Sequence, residues 1–378
     1  MSPRLATFLM FVVNGSVVGT WVAAIPTVKD GLGASGSEFG MALLFLPFGA
    51  LVAQQVTGQL LVRASSRRIL TVSAFVLPWL VVPPMVAPSL PLLAATLFVL
   101  GYANTTMDVT MNAHGVALED RGGKSIVSGL HAGWSLGGVV GALGIALALE
   151  LGVQPVAEAV VAAIVLFVLG LLASRSLGTG SVRIDGATGF HWPSRAVIPL
   201  ALIIVLIAFV EGGLTDWGGV YLDLGIGAPA SIAAVAYAAL SLGMFVGRIG
   251  GDRVKDRVGS IRLTQWGMLL VAGSVAAFLV VHDQWVALAG MVAAGIGIAN
   301  TIPQIFGAAG RIPPGGPSLS AVFTALTVAF MAGPLIIGTS SDIVGISGTF
   351  WLFVVASVAV ALLISRVPVA ETNPRFRR

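Results

Sequence analysis

The sequence predicts an all-α membrane protein in which twelve transmembrane helices form two six-helix halves related by pseudo-two-fold symmetry. Three observations predict it. The 378 residues are 57% hydrophobic and 10% charged, which is too few charges for a water-facing surface, since soluble domains carry about 25%. The hexapeptide that begins at Gly101 returns at Gly297 with four residues unchanged. Lys and Arg fall almost entirely on one side of the predicted helices.

Twelve apolar stretches follow one another along the chain, each close to the 20 or so residues that a helix needs to cross a bilayer. The break after the sixth is the longest polar stretch and is rich in Gly, Ser and Thr, which predicts a linker. We therefore expect an N-terminal half over 1–174, a cytoplasmic linker over 175–195 and a C-terminal half over 196–378. The predicted segments cover about 5–27, 36–62, 67–86, 91–118, 125–149, 153–174, 196–222, 229–251, 261–281, 285–310, 317–341 and 346–366.

The Lys and Arg residues predict that both termini lie in the cytoplasm. With that orientation every Lys and Arg except Lys29 falls on the cytoplasmic side, and Arg248, near the end of segment eight, is counted among them. We expect a monomeric, multi-pass protein of the plasma (inner) membrane whose cytoplasmic face meets anionic lipids. The basic charge follows from this topology and predicts no binding of nucleic acid.

The loop after segment eight contains Asp252, Asp256, Arg257 and Gly259, and the loop after segment two contains Gly58, Val62, Arg63 and Arg67. Together with the architecture, these loops resemble the major facilitator superfamily, whose loop signature is Gly-x-x-x-Asp-Arg-x-Gly-Arg-Arg. Asp252 stands where the first Gly of that signature is expected, and Val62 replaces its Asp. We predict that Arg63, Asp256 and Arg257 pair with helix ends and hold one access state. The alternative is that these charges serve only to set the topology.

Segment four carries Asp108 followed four residues later by Asn112, and segment seven carries Glu211, which leads to Tyr221-Leu222. In these features the chain resembles, more narrowly, the fucose–proton symporter branch of that superfamily. The Asn-Asp pair of its first segment is Asn14-Gly15 in this chain, which removes one acid.

Asp108 is the first candidate for proton coupling. It follows the first copy of the hexapeptide, and Gln304 holds the corresponding position after the second. Inserting an ionised carboxylate into the middle of a membrane helix costs about 2.5–3.5 kcal/mol on insertion scales. Protonation of the carboxylate removes most of this cost. The alternative is a static acid held by Asn104 or Asn112, which share its helix face.

Glu211 in segment seven and His131 in segment five are the other predicted coupling residues. Glu211 is the deeper of the two acids of segment seven. His can transfer protons near neutral pH, although a His bonded to a carbonyl is the simpler interpretation. The spacing of His and acidic residues predicts no metal site, and we expect no cofactor.

The predicted solute-binding residues are amides, hydroxyls and one aromatic side chain on segments that line the central cavity in the superfamily. Amides suit a hydroxyl-rich solute because they both donate and accept hydrogen bonds. Trp21 could stack on a sugar, or lie at the membrane interface as Trp often does. The set is Asn14, Trp21, Asn104, Asn112, Asn300, Thr301 and Gln304.

These features predict a secondary active transporter that moves a small polar solute, with a sugar as one candidate, by proton-coupled symport. The alternatives are a proton-driven efflux antiporter for amphipathic or drug-like compounds and a non-transporting receptor or scaffold. We expect no enzyme, since the sequence has neither a phosphate-binding loop nor a nucleophile triad. Gly133, Gly137 and Gly141 predict close helix packing or, alternatively, a sliding surface between the halves.

Overall fold

The computed structural model describes residues 1–122, 126–178, 195–312 and 316–367, and within them the secondary structure is helical. Of the predicted linker, residues 179–194 lie outside the described residues. The α-helices of the described part are α1 Pro3–Leu32, α2 Gly36–Leu43, α3 Phe45–Arg63, α4 Ser66–Val76, α5 Val82–Met85, α6 Leu90–Gly122, α7 Val127–Glu150, α8 Pro155–Ser174, α9 Ile198–Val220, α10 Ala230–Val258, α11 Ser260–Val281, α12 Gln284–Ile298, α13 Thr301–Ala309 and α14 Gly316–Leu363.

Within these ranges, eleven helical stretches are long and apolar enough to cross a membrane. The last, Ser318–Arg366, has 49 residues, which at 1.5 Å per residue is about 73 Å and more than twice the thickness of a bilayer core. Gly345 divides it into two, because its φ of 73° is non-helical. The all-α fold with twelve spans is therefore confirmed.

An even number of spans returns the chain to the side of the membrane on which it starts. We name that side the terminal face; α1 begins there at Pro3, and the last span ends there near Arg366. The other side is the distal face. In these terms α9 runs from the terminal to the distal face, and α10 runs back.

The two halves repeat the same helix contact. A Cβ on Gly49 of α3 would lie 2.1 Å from the carbonyl oxygen of Phe98 in α6, and a Cβ on Gly243 of α10 would lie 2.0 Å from that of Val292 in α12. Each residue of the second contact follows its counterpart by 194 positions. The duplication that the hexapeptide indicated is therefore visible as a repeated close approach of two backbones.

The hexapeptide itself has different neighbours in its two copies. Gly101 packs on α3, and Gly295, which lies 194 positions later, makes the equivalent contact with α10. Gly297 corresponds to Gly101 in the repeated hexapeptide, 196 positions later, but it packs on α11. The two-residue difference falls just before the break between α12 and α13, where Asn300 has φ −115° and ψ 1°. The first copy lies in the continuous helix α6.

Glycines on α7 pack it against α1. A Cβ on Gly137 would lie 2.2 Å from the carbonyl oxygen of Val12, and a Cβ on Gly141 would lie 2.2 Å from that of Ser16. Gly133 faces the ring of an α1 phenylalanine in the same way. These contacts lie within the first six spans. The interpretation of the three glycines as a sliding surface between the halves is therefore wrong, and close helix packing is what they provide.

At the distal face the two halves are in direct contact through α2 and α14. The Asp342 carboxylate accepts hydrogen bonds from the backbone N–H groups of Gly36 at 2.7 Å and Ser37 at 2.8 Å. Nearby, the ring of Trp217 in α9 meets Phe39 in α2 edge-on, with 6.4 Å between centroids. The distal face is thus closed by contacts between residues of opposite halves.

Candidate functional site

A cavity of about 560 Å³ lies between α7 of the first half and α9, α10, α12 and α13 of the second. Its volume is within the range of small-molecule sites, about 300–1,000 Å³. It extends from Glu211 and Arg248 toward the terminal face, where Lys255 and Val127 flank it. The residues that line it are Val127, His131, Glu211, Arg248, Lys255, Ile298, Ala299, Asn300, Ile302, Pro303, Gln304 and Phe306.

Arg248 places a positive charge deep inside the protein. It lies ten residues before Val258, the last residue of α10, which is about 15 Å from the terminal face. Its guanidinium donates a hydrogen bond to the Ser135 hydroxyl, and its Cζ atom lies 5.8 Å from the centre of the Trp134 ring, within cation–π range. The prediction that counted Arg248 among the basic residues at the membrane surface is therefore wrong.

Glu211 supplies an opposite charge to this cation. It lies 13 residues after Ile198, the first residue of α9, which is about 20 Å from the terminal face. Its carboxylate interacts electrostatically with the guanidinium of Arg248. An unpaired charge in the protein interior is strongly destabilising, so each group stabilises the other. Sequence reasoning identified the acid of this pair and missed the base.

His131 lines the same cavity from α7. It lies four residues after Val127, the first residue of that helix, and is therefore about 6 Å from the terminal face. Its ring meets Phe11 edge-on at 5.3 Å between centroids, and the Arg248 guanidinium acts on it electrostatically. Two of the three predicted coupling residues thus share one cavity and one cation.

Asp108, the third predicted coupling residue, lies in α6 and is not among the lining residues of this cavity. It is 14 residues before Gly122 at the end of α6, or about 21 Å from the terminal face. Asn112 donates a hydrogen bond to its Oδ1 atom at 3.1 Å and another to its backbone carbonyl at 2.9 Å. The structure therefore contains the hydrogen bond that the static alternative for Asp108 requires.

Asn14 is fully buried and connects three helices. Its Nδ2 donates to the carbonyl oxygen of Asn104 in α6 at 3.2 Å, and its Oδ1 accepts from Nε1 of Trp134 in α7 at 2.8 Å. The same Trp134 ring lies beside the Arg248 guanidinium, so Asn14 helps to fix the surroundings of that cation. Protein atoms enclose the Asn14 side chain in this conformation, and its contact with solute stays a prediction.

Two further predicted solute contacts are buried as well. Trp21 is 2% exposed and Thr301 is 1% exposed. Thr301 donates its hydroxyl hydrogen to the carbonyl of Ile298 at 2.8 Å, in the preceding turn of its own span. Protein atoms enclose both side chains in this conformation, and their contact with solute stays a prediction. The alternative position of Trp21 at the membrane interface is wrong, since packing covers the ring.

The remaining predicted amides divide between the two halves. Asn300 and Gln304 line the cavity, and Asn300 also donates to the carbonyl of Gly247 in α10 at 2.9 Å. Asn104 and Asn112 lie on α6, outside that lining. The structure thus brings two of the four amides to the site that contains Arg248.

The three predicted gating residues are exposed at the terminal face. Arg63 is the last residue of α3, and Asp256 and Arg257 lie in the last turn of α10. The sequence placed them in loops, whereas the helices extend through them. Their role in holding an access state stays a prediction.

The comparisons with known proteins agree with this architecture. Residues 6–317 match the model of the Major Facilitator Superfamily. An uncharacterized MFS-type transporter of Yersinia pestis is 28% identical over 364 residues, which cover 96% of this chain and 94% of the relative. The nucleoside transporter NupG superposes with a TM-score of 0.74 at 14% identity over 97% of this chain and 99% of that chain. A bacterial homologue of the human lysosomal transporter Spinster superposes with a TM-score of 0.72 at 16% identity, covering 98% of both chains. The resemblance that the two loops suggested is confirmed, and the chain belongs to the Major Facilitator Superfamily of multi-pass membrane transporters.

Proposed function

We propose that the protein is a secondary active transporter that moves a small polar solute across the plasma membrane by alternating access and couples this movement to protons. The observation that carries the proposal is the Glu211–Arg248 pair inside the cavity between the halves. A membrane-embedded acid beside a cation is an expensive arrangement that marks ion or substrate pathways in membrane proteins.

Access to the cavity supports the alternating mechanism. The distal face is closed through Asp342 and α2, while the cavity extends to the terminal face. Exposed basic residues at that face, such as Arg63 and Arg253, favour a cytoplasmic position for it by the positive-inside rule. We therefore interpret this conformation as one that faces the cytoplasm. In the opposite conformation the segments 1–174 and 196–378 would rock about the cavity, joined by the linker 175–195.

Glu211 is the better supported coupling acid. It faces both the cavity and a cation whose charge it balances, so that binding of solute near Arg248 would change the cost of its ionisation. Asp108 stays a second candidate, held in this conformation by Asn112. His131 lies nearer the terminal face, on the route that a proton would take from the cavity to water.

The solute is first found by binding and the coupling is then measured by flux. A panel of fucose, glucose, glucuronate, alanine and uridine is added to the purified protein, and a solute that binds raises its melting temperature. Proteoliposomes with a pH-sensitive dye in the lumen then receive that solute outside. Symport acidifies the lumen and antiport makes it alkaline. If a solute binds but neither the solute nor protons cross the membrane, the result would favour a non-transporting receptor or scaffold.

Glu211→Gln is expected to retain solute binding and to lose the solute-induced proton movement, because the amide cannot take up a proton. Glu150→Gln is the matched control, since Glu150 is exposed at the distal end of α7. Asp108→Asn tests the second candidate under the same conditions. Proton movement of wild-type size in Glu211→Gln would remove Glu211 from the coupling mechanism.

A further inference from the structure

This inference rests on the proposed transport function and assigns a chemical class to the solute. We propose that the solute is a small hydroxylated carboxylate with a single negative charge, and that its carboxylate binds Arg248 and replaces Glu211 as the counter-charge of that cation. The proton that Glu211 then takes up crosses the membrane with the anion.

The charges that line the cavity support an anion. Arg248 and Lys255 are cationic and Glu211 is anionic, so the lining carries one net positive charge with His131 neutral. A monoanion that binds Arg248 while Glu211 takes up a proton keeps this net charge unchanged. A neutral sugar would not replace the negative charge beside Arg248, and a cation would add to the positive charge.

The surroundings of Arg248 orient its guanidinium. The bond to the Ser135 hydroxyl fixes one N–H group, and the Trp134 ring lies beside the guanidinium carbon at 5.8 Å. Trp134 is held in turn by Asn14 at 2.8 Å. A guanidinium has five N–H donors in a planar fork that matches the two oxygens of a carboxylate. An Arg whose position is fixed in this way is suited to binding a carboxylate in one orientation.

The hydroxyl groups of the solute have partners among the uncharged polar residues of the lining. Asn300 and Gln304 bring two amides to the cavity from α13 and its N-terminal end. Amides both donate and accept hydrogen bonds, so they can bind a hydroxyl group as its donor or as its acceptor. The wall around them is apolar, with Ile302, Pro303 and Phe306. The site thus combines one anion-binding group with a small number of neutral polar groups.

The groups that face Glu211 allow the exchange. Arg248 and Tyr237 face it from α10, Asp216 lies five residues further along α9 within reach of the same Tyr237, and His131 faces the shared cation from α7. Asn300 and Gln304 face the cavity from the remaining wall and carry no charge. Among these groups Arg248 is the only cation whose charge acts on Glu211 in the described part of the chain. When a solute carboxylate binds that cation, Glu211 loses its counter-charge and becomes neutral by protonation.

The step is balanced in atoms and charge. The solute brings one negative charge, Glu211 takes one proton from the water on the open side of the cavity, and no covalent bond of the solute changes. The solute and the proton both leave on the other side, where the ionised Glu211 again balances the charge of Arg248. One anion and one proton cross together, and the net charge moved is zero. Transport should therefore respond to a pH gradient and be insensitive to membrane potential.

The first experiment uses two sets of molecules matched in size and different in charge. They are glucuronate, glucose and glucosamine, and lactate, 1,2-propanediol and 1-amino-2-propanol. We expect the carboxylate of at least one set to raise the melting temperature of the full-length protein while its neutral and cationic partners do not. The inference is overturned if a neutral or cationic molecule stabilises as strongly, or if neither carboxylate stabilises.

Arg248→Lys keeps the positive charge and removes the planar set of N–H donors that matches the two oxygens of a carboxylate. We expect it to weaken carboxylate binding by about tenfold to a hundredfold, the range for loss of a hydrogen bond to a charged group. Arg253→Lys is the matched control on the exposed end of α10. If Arg248→Lys does not fold, Glu211→Gln tests the same exchange.

The affinity of the wild-type protein for the carboxylate should rise as the pH falls from about 8 to 5.5, because binding takes up a proton. The carboxylates of these solutes stay ionised over that range. That dependence should vanish in Glu211→Gln, and its absence in the wild type contradicts the exchange.

Proteoliposomes separate this inference from the function on which it rests. A pH gradient should drive uptake of the bound carboxylate, and a potential set by potassium and valinomycin should leave the rate unchanged. Proton-driven uptake of a neutral molecule would overturn the anion class and leave the transport function standing. Binding of the carboxylate without any uptake would overturn the transport function and leave the anion site standing.

Discussion

At the scale of single residues, the site depends on a chain of contacts that runs through four helices. Asn104 of α6 accepts from Asn14 of α1, which accepts from Trp134 of α7, whose ring lies beside Arg248 of α10. None of the intermediate groups needs to touch a solute in order to affect binding. Asn14 and Trp134 are therefore positioning residues for the guanidinium.

Trp134→Phe tests this chain, since it keeps an aromatic ring and removes the indole N–H that bonds Asn14. We expect the free energy of unfolding to fall by about 1–3 kcal/mol, because a buried amide oxygen loses its donor. Carboxylate affinity should also fall, and Trp134→Phe should add little in the background of Arg248→Lys. Both are measured by thermal shift and ligand titration. Trp266→Phe, at a position 56% exposed on α11, is the control, and an equal loss in that variant would contradict a specific role for Trp134.

Sequence reasoning found part of this site for a physical reason. An acid inside an apolar stretch, such as Glu211, stands out because nothing at the membrane surface explains it. Arg248 lay near the predicted end of segment eight, where a basic residue has an ordinary explanation in topology. The helix continues seven residues beyond the predicted end at residue 251, to Val258, and this extension places Arg248 inside. Trp134 gave no signal, since its role depends on contacts with helices distant in sequence.

At the scale of helices, packing relies on backbone contact where glycine has no side chain. The α1–α7 pair is the clearest case, with Gly137 and Gly141 against carbonyl oxygens of α1. Small residues at helix interfaces were predicted from their four-residue spacing. Which helix they would face could not be predicted, because spacing reports a stripe on one helix and not its partner.

Gly137→Ala is expected to destabilise the protein although alanine favours helix formation. Its Cβ would lie 2.2 Å from the carbonyl oxygen of Val12, so α1 and α7 must separate, at a cost of about 1–3 kcal/mol by analogy with overpacked cores. Gly273→Ala on α11 is the control, because no atom lies within 4 Å of that Cβ. Its stability should be unchanged or rise slightly. Unfolding in detergent measures both, and equal stability of the two variants would contradict the packing argument.

At the scale of the whole molecule, the two faces differ in how the halves meet. Composition and the repeat predicted the twelve spans and their pairing into halves, since lipid leaves few alternatives to apolar helices. They could not predict which face is closed, because under the proposed mechanism one sequence adopts both states. In this structure Asp342 links α14 to the start of α2 at the distal face. Opening that face must break both hydrogen bonds.

Asp342→Asn is expected to shift the molecule toward a conformation open at the distal face. The neutral amide binds the two N–H groups less strongly than the carboxylate does. Spin labels on cysteines placed at Leu151 and Ile343, which are 69% and 76% exposed, would report a longer distance between the halves. The natural chain contains no cysteine, so no other site is labelled.

Asp283→Asn is the control for this measurement. Asp283 also accepts from two backbone N–H groups at a helix start, those of Trp285 and Val286 in α12 at 2.9 and 3.0 Å. These bonds stay within one half. The distance between the labels should therefore not change in Asp283→Asn, even if stability falls. Equal distances in both variants would show that Asp342 does not hold the distal face closed.

The two registers of the internal repeat also bear on how the protein has evolved. Packing glycines recur at 194 positions and the Ala-Asn-Thr sequence at 196. Two additional residues turn a helix by about 200°, so after the duplication the inherited Asn pair came to point to unlike neighbours. Selection could then act on one copy without constraining the other. The two halves therefore share their packing but are not interchangeable, and the pair of Glu211 and Arg248 belongs to the second half.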